Sequence, residues 1–199
     1  MANHWIAMFS QTGGEIVSLI KAGYLPNLII TSLSQEALIK LPSYSVFKAK
    51  QISVISYFNN EESQFHEYCA KDSLITLHGY LKIIPKKICE EYRICNGHPG
   101  DIISYPELKG KNPQEKAIKL KLKSTGCVIH KVTEKVDSGE ILIRKVINIS
   151  SSDTEESLTK SLKKVMFKCW RQFFEKEKLE WYSHFQGFME QEKQPPLMH

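Results

Sequence analysis

The sequence predicts an α/β protein built on an open, mostly parallel sheet with helices on both faces. Short apolar runs alternate with helical stretches through the first half of the chain. Turn residues mark the junctions, as in Ser10-Gln11-Thr12-Gly13-Gly14 and Gly97-His98-Pro99. The 199 residues are 42% hydrophobic and 25% charged, the balance of one globular domain around a single sizeable core.

Residues 5–9 read as a buried strand, and the turn after them leads into a short helix over 15–22 with Ile16, Val17, Leu19 and Ile20 as its apolar positions. Residues 28–31 form a second strand and 35–41 a second helix. Residues 45–49 and 52–55 are weaker strand candidates. A helix over 63–70 and a strong strand over 73–77 follow. Pro85 sits where a helix would begin, with Ile88 and Tyr92 on one face. Residues 93–96 make a strand that runs into Gly97-His98-Pro99. Residues 100–113 are a long loop broken by Pro106, Gly110 and Pro113, and a helix starts near Gln114. Strands over 128–132 and 141–149 are joined by the loop 133–139. The clearest element is the last helix, where Leu158, Leu162, Val165, Cys169 and Phe173 mark one stripe. Asp153 or Thr154 caps it, and Glu155-Glu156 suit the positive end of its dipole. The catalytic domain is placed at 1–176, with 177–199 as a short, polar C-terminal extension.

Composition excludes several classes. No apolar run approaches the ~20 residues that cross a bilayer. The first apolar stretch is short and has no basic lead-in, so it is not read as a signal peptide, and a cytoplasmic location is expected. The five cysteines form no Cys-x-x-Cys pair and read as reduced core thiols. The histidines are dispersed, and no metal site is expected. Much of the net charge of +5 lies over 109–123 and 160–171. This is either a solvated face or a field that attracts a polyanionic substrate. Nucleic acid is disfavoured, because aromatic residues are not interleaved with the basic ones. No Gly-x-Gly-x-x-Gly follows the first strand, which disfavours a nicotinamide dehydrogenase.

Ligands of open parallel sheets bind beyond the carboxyl ends of the strands, and the segment 95–100 lies at such an end. Asn96 and His98 are two apart, so an extended backbone points both side chains the same way. Pro99 keeps His98 extended. An amide donor and an imidazole aimed into one crevice suit chemistry that builds negative charge on a carbonyl oxygen. Read alone, His98 fits a hydrogen-bonded structural residue as well as a catalytic one.

A longer pattern adds to this. Asn96-Gly97-His98-Pro99 is followed by Tyr105-Pro106, Lys109-Gly110, Asn112-Pro113, Ala117-Ile118, Gly126, His130, Val132 and Asp137-Ser138-Gly139-Glu140-Ile141. This series resembles the folate-dependent formyltransferase family. The resemblance covers about 5–174 and is most specific over 78–143. It implies a Rossmann-like fold, 10-formyltetrahydrofolate as co-substrate and Asn96, His98 and Asp137 as the catalytic set. Asn96 and a protonated His98 would donate to the developing oxyanion. Asp137 would favour the cationic ring and help move protons from the amine to the folate. The resemblance also places the folate against Leu81, Lys82, Ile83 and Ile84 and against Thr133, Glu134 and Val136. The apolar members of these segments fit ordinary core equally well. His130 is read as structural, and a homodimer is allowed.

Departures from the family bear on the acceptor. Branches acting on glycinamide ribonucleotide carry a Gly-Ser-Asn turn after the first strand, and here the stretch is Thr12-Gly13-Gly14-Glu15. Thr12, Gly13 and Gly14 remain expected to bind substrate, since backbone N–H groups opening a helix can cradle a phosphate. Glu15 adds a negative charge where the family has a neutral amide, which counts against the purine substrate. Gly97 and Gly100 replace larger residues and imply a roomier site or a shifted backbone. The expected acceptor is a small, phosphorylated primary amine, either glycinamide ribonucleotide or a nucleotide-linked amino sugar. The competing readings are a catalytically inactive folate-binding protein and a basic RNA-binding protein on the same fold.

Overall fold

The structure is a computed structural model, and it describes residues 4–177. Seven strands form one sheet in the order β3-β2-β1-β4-β5-β6-β7. The strands are β1 (Trp5–Phe9), β2 (Leu28–Thr31), β3 (Ser53–Ile55), β4 (Leu74–Leu77), β5 (Arg93–His98), β6 (Ser124–Lys131) and β7 (Ile141–Asn148). The first five are parallel, β6 pairs antiparallel with β5, and β7 pairs antiparallel with β6. The helices are α1 (Gly14–Lys21), α2 (Gln35–Leu38), α3 (Pro42–Ala49), α4 (Glu62–Tyr68), α5 (Lys86–Glu91), α6 (Pro113–Lys119) and α7 (Glu155–Glu177).

The strand pattern has a packing cause. β1 and β4 are buried at every position, as strands covered on both faces must be. One face packs Phe9, Ile16, Phe47, Leu162 and Trp170 into a core under α1, α3 and α7. The other packs Met8, Phe65, Ile75 and Ile88 under α4 and α5. Helices therefore cover both faces, as the alternation predicts. Four of the five free cysteines are buried in these cores, and burial pushes the Cys69 and Cys95 thiols up to about 12.

Three local expectations are corrected. Residues 45–49 are helical, because Pro42 opens α3 and the helical turn buries Ser43 and Phe47 together. The second helix stops at Leu38, and a turn separates it from Pro42. β5 also continues through Gly97 to His98, because β6 pairs with it there. Thr154 caps α7 by accepting from the Ser157 N–H at 3.2 Å. The expected extension 177–199 lies outside the described residues beyond Glu177. Among the described residues, no helix is long and apolar enough to cross a membrane.

Candidate active site

The end of β5 supplies the first two groups. Asn96 and His98 alternate with Gly97, so they share one face while Gly97 turns to the other. Opposite Asn96 in the antiparallel ladder stands His130 on β6. The fourth group, Asp137, comes from the loop between β6 and β7 and has a left-handed backbone (φ 47°), which Asp tolerates better than most residues. The turn that delivers it needs Gly139: a Cβ there would lie 1.9 Å from the Lys131 carbonyl oxygen.

These groups form one buried cluster. Asp137 Oδ2 lies 3.2 Å from His98 Nδ1 and accepts from the Gly110 N–H at 2.8 Å. Asp137 Oδ1 lies 3.2 Å from His130 Nε2, and Asn96 Nδ2 approaches the same oxygen at 3.4 Å. Asn96 Nδ2 also lies 3.1 Å from His130 Nε2, and His130 Nδ1 lies 2.8 Å from the Lys131 carbonyl. His98 Nε2 donates to the Leu108 carbonyl at 2.9 Å.

Burial raises the Asp137 carboxyl, but the His130 hydrogen bond, the His98 ring and the Gly110 N–H outweigh it and hold the group below its ordinary value. His98 goes the other way from expectation. Burial pulls it below the ordinary imidazole value, and the Asp137 charge and the Leu108 carbonyl restore only part of the loss. Burial therefore opposes the cationic ring that Asp137 is expected to favour. Both ring nitrogens face acceptors, so an arriving proton gains a hydrogen bond.

The cluster opens on a cavity of about 880 Å³, within the range of ~300–1,000 Å³ for small-molecule sites. Asn96, His98 and Asp137 line it together with Leu81, Lys82, Ile83, Ile84, Thr133, Glu134 and Val136, the positions expected to hold a flat ligand. Leu81, Ile83 and Val136 are 55%, 69% and 52% exposed, an unusual display of large apolar side chains at one rim.

Other expected residues lie elsewhere. Thr12, Gly13 and Gly14 open α1 but do not line this cavity, which the turn reaches only through Gln11. Gly14 N–H meets Thr12 Oγ1 at 3.4 Å. The roomier site expected from Gly97 and Gly100 is corrected. A Cβ at Gly97 would lie 2.9 Å from Met166 Sδ and 3.0 Å from Trp170, and one at Gly100 would lie 2.9 Å from His98 Nε2, so the space is already filled. His130, read as structural, is part of the cluster. Its pairing with Asn96 depends on an antiparallel register that no local pattern encodes.

A formyl transferase family model matches residues 32–170. The phosphoribosylglycinamide formyltransferase of Dictyostelium discoideum is 31% identical over 172 residues, covering 72% of this chain and 81% of that protein. The trifunctional purine biosynthetic protein adenosine-3 of Drosophila melanogaster is 33% identical over 97 residues, covering 48% of this chain and 7% of that protein. The chain thus matches less than a tenth of that longer relative. Among solved structures, the phosphoribosylglycinamide formyltransferase of Bacillus halodurans superposes with a TM-score of 0.67 at 26% identity, over 82% of this chain and 90% of that one. The enzyme of the same name from Anaplasma phagocytophilum gives 0.71 at 22% identity, over 84% and 83%, a likeness of fold.

Proposed function

This chain belongs to the formyl transferase family, and from that premise we propose that it transfers the formyl group of 10-formyltetrahydrofolate to the primary amine of a small, phosphorylated acceptor. Glycinamide ribonucleotide and a nucleotide-linked amino sugar are the two acceptors considered. The observation that carries the reading is the shared cavity: Asn96, His98 and Asp137 line it with every residue expected to contact the folate. Residues 1–176 are read as the catalytic unit, working on small molecules in the cytoplasm.

The folate supplies an activated formyl carbon. The exposed Leu81, Ile83 and Val136 at the cavity rim fit the two faces of its flat ring. As the amine adds, charge develops on the formyl oxygen, and the Asn96 side-chain amide is a donor within the same cavity. His98 takes up the proton that the attacking amine releases, the resulting cation is stabilised by Asp137 at 3.2 Å, and the proton passes to the folate nitrogen as its bond to the formyl carbon breaks and tetrahydrofolate leaves. The His98 Nε2–H is engaged by Leu108 at rest, so donation to the oxygen requires the ring or that carbonyl to move. Each such group typically contributes ~10²-fold or more to rate.

Titration with 5-formyltetrahydrofolate, followed by amide spectra, tests the binding half of this reading. Saturable shifts are expected at residues 81–84 and 133–137, and shifts confined to other segments would contradict it. Loss of the formyl group from 10-formyltetrahydrofolate in the presence of amino-nucleotides and nucleotide-linked amino sugars tests the transfer.

A further inference from the structure

The segment between β4 and α5 lines the cavity from Gly79 to Ile84. It is neither helix nor strand, and among the described residues the backbone of 80–83 makes no backbone–backbone hydrogen bond. It nevertheless carries Leu81 and Ile83 largely exposed at the cavity rim. Apolar side chains on an unsupported loop turn towards the nearest core, because that removes them from water. This segment is kept open by side chains instead.

Asn60, in the loop between β3 and α4, makes two of these contacts. Its Nδ2 donates to the Ile83 carbonyl at 2.5 Å, and its Oδ1 accepts from the Tyr80 hydroxyl at 2.6 Å. A flipped amide would turn its oxygen on the Ile83 carbonyl, so the pair of bonds sets one orientation. Tyr80 is 9% exposed, and burial pushes its phenol up, so the hydroxyl keeps its proton and stays a donor. Ser10 Oγ accepts from the Leu81 N–H at 3.1 Å, and Lys82 Nζ donates to the Phe58 carbonyl at 3.3 Å.

The loop that carries Asn60 is itself fixed. Phe58 is buried against Phe65 of α4, with ring centroids 5.0 Å apart, and its N–H donates to the Thr31 carbonyl at the end of β2 at 3.1 Å. The Asn59 N–H donates to Gln64 Oε1 at 2.8 Å. Asn60 has a left-handed backbone (φ 71°), which Asn adopts more readily than most residues. Tyr80 and Ile83 line the cavity and Asn60 stands behind them, joining this wall to the sheet and to α4.

We propose that Asn60 is a positioning residue for the folate: by holding the Tyr80 hydroxyl and the Ile83 carbonyl at once, it keeps the 80–83 segment in the form that receives the flat ring. This rests on the formyl-transfer reading and deepens it. A segment already ordered in the free protein spares the ligand the cost of ordering it.

Two variants of the full chain test it. Glycine takes a left-handed backbone without strain, so Asn60→Gly removes the two hydrogen bonds and little else. Asn60→Asp keeps an oxygen for Tyr80 but sets a second oxygen against the Ile83 carbonyl, and it serves alone if the glycine variant fails to fold. The dissociation constant of 5-formyltetrahydrofolate is expected to rise about tenfold in both, because the ligand must then order the segment. With 10-formyltetrahydrofolate as donor, its KM should rise by about the same factor while kcat stays within about twofold and the KM of the acceptor is unchanged. A residue serving stability alone would lower the unfolding midpoint and leave these constants in place. Wild-type folate affinity in either variant, or a fall in kcat with KM unchanged, overturns the proposal alone. A wild type that binds no 5-formyltetrahydrofolate contradicts the formyl-transfer reading, and this proposal with it.

Discussion

Asp137 holds His130 at 3.2 Å through Oδ1, the same distance at which its other oxygen holds His98. One carboxylate thus organises two imidazoles, and the second fixes the orientation of the first by fixing Asp137. Replacing His130 with Ala removes the hydrogen bond that does most to lower the Asp137 carboxyl, so that group should titrate higher. We expect kcat to fall by about tenfold, less than the ~10²-fold of a group touching the reacting atoms, with the acidic limb of the rate profile moved up in pH. An unchanged profile would mean that His130 only packs.

The two shifted groups also make stability depend on pH. His98 binds its proton less readily in the folded chain than in the unfolded one, where the ordinary value is 6.5. Stability should therefore be full above about 6.5 and decline as pH falls from there towards the folded value. Asp137 is depressed in the folded state, so its contribution is present above 3.8 and lost as pH falls through its lower folded value. Urea midpoints measured from pH 8 to pH 3 should show both declines, and His98→Gln should remove the first and reduce the second, since the His98 ring is one of the groups that lower Asp137. A first decline that survives in His98→Gln assigns it to another group.

The loop after His98 is fastened at a distance from the chemistry. Arg144 on β7 donates Nε–H to Asp101 Oδ1 at 2.9 Å and a terminal N–H to Oδ2 at 2.8 Å, and it also reaches Ser104 Oγ at 2.7 Å. Asp101 is 1% exposed, so removing Arg144 leaves a buried carboxylate unpaired. That loss costs about 3–5 kcal/mol in a fully buried pair, and about 2 kcal/mol is expected here because solvent screens the Arg144 side, 36% exposed. The same loop presents the Leu108 carbonyl to His98 and the Gly110 N–H to Asp137. Arg144→Ala should accordingly lower both the denaturation midpoint and kcat. Loss of stability with native kcat would show that the loop holds its place without the clamp.

Much of this was legible in the sequence. The apolar runs of β1, β2 and β4 and the stripe of α7 mark elements whose burial is set by local pattern. Asn96, His98 and Asp137 are recognisable because their spacing and neighbours form a long series, and the structure brings all three together. Residues 45–49 misled because Tyr44, Val46 and Phe47 suit a strand as well as a helix, and Pro42 at the first helical turn decides between them. The Trp170–Glu15 contact joins residues 155 positions apart and leaves no trace in either segment. The lowered His98 was also hidden, since a spacing shows the charge partner and not the depth of burial that opposes it.

The central claim is that His98 and Asp137 act as one proton-handling unit in formyl transfer. It is tested most directly by kcat against pH for wild type, Asp137→Asn, His98→Ala and the double variant, with 10-formyltetrahydrofolate and an accepting amine. Asn keeps the size of Asp137 and removes the charge that stabilises a protonated His98. The account predicts that Asp137→Asn lowers kcat by ~10²-fold or more while folate affinity changes little, and that the double variant costs little beyond either single change. An Asp137→Asn enzyme with near-native kcat, or a double variant whose loss is the product of the two single losses, would contradict it.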